Sequence, residues 1–168
     1  MPKRYQSTLI IGEMLSGKSY WVSTHLEELR TEWFGVDQTA VWDGLQSKTI
    51  GDLAMLNGND LLIFDHVITD DQWQELFKVL PLLAERGVAT MIIAQPDVGN
   101  PVRMAKMFNL TDQWLFFRHD KTASKIYKDE TLQKVCALQK SFIDSLPGLA
   151  VGEYRFVQSG HKTQHSRR

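Results

Sequence analysis

The chain has 168 residues, with 19 basic against 20 acidic side chains and a single cysteine; that length suits one α/β domain, read over residues 1–160, and is short for two. Nearly cancelling charge excludes a global field for nucleic acid or membrane, so any such partner must meet a local patch. The lone Cys136 excludes an internal disulfide and reads as a small buried hydrophobe in a reducing compartment, while the lack of an apolar run of about 18 residues and of an apolar leader makes a soluble intracellular protein the expectation.

Along the chain, apolar runs of strand length alternate with longer helix-period segments, the pattern of a parallel sheet covered on both faces. The first strand is Ser7–Ile11, followed by a glycine-bearing loop and a helix over about 18–32. A strand at 39–42 and a short helix near 47–57 come next, and the turn Asn57-Gly58-Asn59 precedes a third strand, Asp60–Asp65. A helix over about 70–86 has Thr69 as its cap and Gly87 at its C′ position. Strands at Ala89–Ala94 and 113–117 follow, then a long helix over about 125–146, then Pro147-Gly148 and a last strand at 153–157. Residues 161–168 have the basic, polar composition of a disordered tail.

The loop after the first strand reads Gly12-Glu13-Met14-Leu15-Ser16-Gly17-Lys18-Ser19. Binding a phosphate needs several backbone N–H groups aimed at one point, close approach without side-chain obstruction, and a helix N-terminus behind. Gly12 and Gly17 permit the turns, Lys18 can reach β- and γ-phosphates, and the Ser19 hydroxyl is placed to ligate Mg²⁺. The eight-residue spelling also occurs by chance. Here an apolar strand enters it and a helix begun by Tyr20 and Trp21 leaves it, which raises the phosphate reading well above that of a surface turn with an ordinary lysine.

Such a loop needs a carboxylate for Mg²⁺ at the end of a neighbouring buried strand. Leu61-Leu62-Ile63-Phe64-Asp65 supplies one, since four consecutive apolar residues mark a strand buried on both faces and an acid at its C-terminal end lies where open α/β sheets bind ligands. A cap at a turn is the plainer alternative for Asp65. Gln95 emerges from the next apolar strand, where it can hydrogen-bond a γ-phosphate or the attacking water; a loop-starting glutamine before Pro96 is its plainer alternative.

The order of these motifs resembles the HerA–FtsK superfamily, most closely the small DNA-packaging ATPases of membrane-containing icosahedral and poxvirus-type viruses. The resemblance rests on the phosphate loop, Leu61 to Asp65, Arg86-Gly87 leading to Ala94-Gln95-Pro96, Arg103, Phe108-Asn109, the strand from Gln113 to Phe117, Leu146-Pro147-Gly148-Leu149 and Gly152-Glu153-Tyr154. It implies a three-layer P-loop NTPase of RecA/FtsK type, with a mainly parallel sheet and an added strand beside the phosphate loop. It also implies ATP and Mg²⁺ as cofactors, Gly12 to Tyr20 as the nucleotide-binding run, assembly into a hexameric ring, double-stranded DNA in the pore, capsid or membrane-vertex partners, and residence in the host cytoplasm and at the packaging vertex of the virion. Ring ATPases complete each site with a neighbour's arginine, for which Arg103 is the first candidate and Arg118 the second. One departure stands out: many members place an acid after the strand-ending aspartate, and here that position is His66. Glu13 is the favoured replacement as the water-activating base, with Asp70 and Asp71 as alternatives.

Two other classes share features with the chain. A filamentous-phage-type assembly ATPase normally adds a membrane span, and a small nucleotide kinase an arginine-rich lid that residues 118–128 do not clearly spell. The guanine-reading Asn-Lys-x-Asp of a GTPase is absent. Lys121, Lys125 and Lys128, together with Lys162, Arg167 and Arg168, are local candidates for sequence-independent contact with DNA phosphates.

Overall fold

The structure, a computed structural model, describes residues 7–43, 56–67, 69–158 and, as backbone, 164–167. The strands are β1 (Ser7–Ile11), β2 (Gln38–Asp43), β3 (Asp60–Asp65), β4 (Ala89–Ala94), β5 (Gln113–Phe116), β6 (Tyr154–Gln158) and β7 (Gln164–Arg167). They form one sheet in the order β2-β3-β4-β1-β5-β6-β7. The strands from β2 across to β5 pair in parallel, and β6 and β7 add an antiparallel edge. The strand added between the phosphate-loop strand and the Asp65 strand is β4. The Val41 strand, which lies between those two in sequence, is instead the outer edge of the sheet, where Val41 is exposed.

Alternation along the central strands builds two cores. Leu9, Ile11, Leu62, Phe64, Ile92 and Phe116 face one side, and Ile10, Leu61, Ile63, Met91, Ile93 and Leu115 face the other. Each side has its own helices, which is why these strands read as unbroken apolar runs. On the first side pack α3 (Asp70–Glu85), α4 (Pro101–Asn109), α6 (Glu130–Cys136) and α7 (Lys140–Ser145). On the second lie α1 (Lys18–Thr24), the single turn α2 (Leu26–Glu28) and a π-helical turn, Leu29–Trp33. The short α5 (Lys121–Ser124) follows β5. The result is the three-layer α/β arrangement expected.

Helix α3 matches its sequence signals closely. The Thr69 hydroxyl accepts from the Gln72 N–H, the Gln72 side chain answers to the Thr69 N–H, and Gly87 takes φ 72° beyond the last turn. Two expected helices are broken. The 18–32 helix is interrupted at His25, whose φ of −114° leaves the helical region. The 125–146 helix divides because Asp129 and Gln139 are extended and Ala137 is left-handed at φ 49°. Gln164–Arg167 pairs with β6 where a disordered tail was expected. The helix expected near 47–57 lies almost wholly outside the described residues. No described helix is long and apolar enough to cross a membrane.

Candidate active site

Gly12 through Ser19 hang between the ends of two strands flanking β1. The Gly12 N–H donates to the Ala94 carbonyl (3.3 Å) and the Glu13 N–H to that of Arg118 (2.8 Å). Two glycines are required by contact. A Cβ on Gly12 would stand 2.7 Å from the Phe117 Cβ, and one on Gly17, whose φ is 96°, would stand 2.8 Å from the Gly152 nitrogen. Gly152 also donates its N–H to the Ser16 carbonyl at 3.0 Å, so the turn before β6 braces the loop from outside. Behind the loop, α1 opens with N–H groups that have no intrahelical acceptor.

Lys18 is buried and folds back over the loop, its ammonium donating to the carbonyls of Gly12 (2.7 Å) and Glu13 (2.6 Å). Burial lowers its pKa to about 8, against the opposing charges of Asp65 and Glu13. Ser19 donates its hydroxyl to Asp65 Oδ2 at 3.0 Å, joining α1 to the end of β3. Asp65 Oδ1 accepts from the His66 N–H at 2.8 Å. Lys18, Ser19, Asp65 and Gln95 all line one cavity of about 280 Å³ over the C-terminal ends of β3 and β4. Met14, Leu15 and Tyr20 form an exposed apolar rim to the loop.

Other expected residues are placed differently. Glu13 does not line the cavity and pairs with Arg118 (Nε to Oε1, 2.5 Å), a partner 105 positions distant. Asp70 is exposed and Asp71 is as well, at the start of α3. Arg103 lines the chain's own cavity, paired with Asp97 and Asp70 and lying over the Trp73 ring at 5.9 Å. Both candidate trans arginines are therefore held by carboxylates of the same chain. His66 adopts φ 55° and sets Nδ1 2.5 Å from Asp43 Oδ1; that hydrogen bond, then the charge of Asp65, raises its pKa.

Sequence reasoning missed Asp43, Asp97 and His119, and it named Gly152 within the resemblance without its contact with the phosphate loop. His119 follows the Arg118 carbonyl that anchors Glu13 and is fully buried. Its Nδ1 lies 2.7 Å from the Phe117 carbonyl and its Nε2 2.7 Å from the Tyr127 hydroxyl. A carbonyl only accepts, so Nδ1 carries the proton and Nε2 accepts from Tyr127. Burial holds this imidazole neutral and lowers its pKa from 6.5 to about 4. The unfolded chain therefore binds the proton first: stability from this group is intact above pH 6.5 and is lost as pH falls toward 4. We expect the parent's urea midpoint to fall between pH 7 and 5, with about 2 kcal/mol of that loss due to His119. His119→Gln should show a flatter dependence, and equal slopes in the two proteins would remove His119 as the cause.

No family model matches the chain, and no curated protein matches it in sequence. Solved structures do. The genome-packaging NTPase B204 of Sulfolobus turreted icosahedral virus 2, in complex with ATP-gammaS, superposes with a TM-score of 0.65 at 12% identity, over 100% of this chain and 98% of that one. B204, the DNA-packaging ATPase of Sulfolobus turreted icosahedral virus, gives 0.65 at 12% identity over 97% of each chain. The AMPPCP complex of the former gives 0.60 at 11% identity, again over 97% of each. The chain has the α/β fold of these P-loop NTPases, end to end.

Proposed function

We propose that this chain is an ATP hydrolase that drives double-stranded DNA into a preformed viral capsid. The observation that carries the reading is the meeting of Lys18, Ser19 and Asp65 at one cavity, with β4 inserted between their strands. The full-length likeness to genome-packaging NTPases solved with ATP analogues supports it. Lys18 neutralises the β- and γ-phosphates, Gln95 hydrogen-bonds the γ-phosphate or the attacking water, and the apolar rim at Met14, Leu15 and Tyr20 lies beside the nucleotide.

The residues present fit Mg²⁺. A hydroxyl and a carboxylate oxygen meet at 3.0 Å, and this ion commonly takes one or two protein oxygens, leaving its other positions to phosphates and water. No cluster of three acidic, His or Cys ligands is present among the described residues, as an all-protein cage would need. Ser19 and Asp65 would hold the ion, which supplies positive charge against the phosphate oxygens.

In this reading the chain works as a ring, hexameric by its resemblance, around DNA at the packaging vertex, within the host cytoplasm and the virion. Lys121 and Lys125 are exposed and available for phosphate contacts, whereas Lys128 is engaged by Asp144 at 3.2 Å. The test is ATP hydrolysis with and without linear double-stranded DNA, alongside the mass of the species formed with a non-hydrolysed ATP analogue. Stimulated turnover with a ring-sized species is expected. Phosphate transfer to a nucleoside monophosphate, with no response to DNA, would overturn the motor in favour of a small kinase.

A further inference from the structure

An ATP hydrolase must orient one water opposite the β,γ-bridging oxygen, and the position after Asp65, held by His66, offers no carboxylate for it. Two carboxylates line the cavity among the described residues, those of Asp65 and Asp97. Asp65 has both oxygens engaged, with the Ser19 hydroxyl and the His66 N–H. Glu13 is not among the lining residues and accepts from Arg118 at Oε1.

Asp97 lies two residues beyond Gln95 on the loop leaving β4. That strand is hydrogen-bonded to both β1 and β3, so its exit loop stands over the phosphate loop and the Asp65 strand end together. Its position is fixed at several points. The Asp97 N–H donates to Met104 Sδ (3.2 Å), and the Asp97 carbonyl accepts from the Asn100 N–H (3.1 Å). Asn100 in turn caps α4 by accepting from the Arg103 N–H at 3.0 Å. Arg103 grips Asp97 Oδ2 with one arm and Asp70 with the other. Arg103 engages Asp97 through Oδ2, no hydrogen bond reaches Oδ1 from the described residues, and even a Cβ on Gly99 would stand 3.7 Å from Oδ1.

We propose that Asp97 is the catalytic carboxylate that orients and deprotonates the attacking water, with Arg103 as its positioning residue. The inference rests on the hydrolase reading above. The water oxygen forms a bond to the γ-phosphorus as the bond from that phosphorus to the bridging oxygen breaks. The bridging oxygen keeps the electron pair and leaves as ADP. One water proton passes to Asp97 Oδ1 and is released to solvent with inorganic phosphate. A loose phosphoryl-transfer transition state asks more for orientation of the water than for base strength, and Arg103 serves that orientation by holding Asp97 Oδ2.

The test uses the full chain. Asp97→Asn should lower kcat about a hundredfold or more, with affinity for an ATP analogue within about threefold of the parent. Asp97→Ala should be similarly slow and should regain turnover, saturably, as formate is added. A group that served only to anchor Arg103 would not be replaced by a free carboxylate, and Lys18→Ala should show no formate response. Asp97→Asn turnover within about threefold of an active parent, or no formate response in a folded Asp97→Ala, overturns the Asp97 assignment alone. A parent that hydrolyses no ATP, with or without DNA, overturns the hydrolase reading and this inference together.

Discussion

Lys18→Ala is expected to abolish ATP hydrolysis, with a loss on the order of 10³ or more, the scale seen when a preorganised donor to developing charge is removed. The ammonium is buried against two carbonyls of the loop it serves, at 2.7 and 2.6 Å. It is thus positioned before any phosphate arrives, and little reorganisation is needed for it to act. Alanine deletes that charge and the two hydrogen bonds that hold the loop closed. The fold should survive, because the change removes a charge kept at a desolvation cost and the glycine contacts at Phe117 and Gly152 still shape the loop. Hydrolysis assays should therefore show loss of turnover with a thermal midpoint close to the parent's. Unchanged turnover in a folded Lys18→Ala protein would remove the phosphate-loop reading.

The parts of this site that were legible in the sequence are those set by local rules. Ser7–Ile11, Asp60–Asp65 and Ala89–Ala94 lie where their apolar runs place them, because strands buried on both faces read as nearly continuous apolar segments. Thr69 and Gly87 marked α3 through capping and left-handed geometry, each a property of a few adjacent residues. The 125–146 segment misled because its apolar spacing continues through positions where the backbone leaves the helix, with neither Gly nor Pro to announce Ala137. Side-chain direction was the larger gap. Glu13 sits in the phosphate loop by sequence, yet it is turned by Arg118, a partner that only the pairing of β1 with β5 brings near. Arg103 was expected to serve a neighbour's site and Asp97 carried no reading, and their pairing beside Asp65 depends on β4 lying between β1 and β3. An added strand beside the phosphate loop was expected, but sequence order pointed to the Val41 strand, β2, whereas the strand between β1 and β3 is β4.

Asp65→Asn tests the metal role of the β3 carboxylate separately from the loop's grip on nucleotide. Asp65 accepts at Oδ2 from Ser19 and at Oδ1 from the His66 N–H. Asparagine retains the size and one acceptor oxygen. The Ser19 hydroxyl can rotate to accept from the new amide, so strand end and helix should remain joined. What disappears is a unit of negative charge, with two consequences. The ion loses its one carboxylate, a change worth several kcal/mol of transition-state stabilisation. Lys18 also loses the first of the two charges that support its protonated form against burial. We therefore expect turnover to fall on the order of 10³, the Mg²⁺ concentration for half-maximal activity to rise, and metal-free binding of an ATP analogue to change far less. Lys18→Ala should instead weaken analogue binding with or without the ion, so the two variants are distinguished by a Mg²⁺ titration. If Asp65→Asn titrates with Mg²⁺ like the parent and turns over normally, Asp65 serves only to close β3 by capping the His66 N–H, and the ion must be held elsewhere.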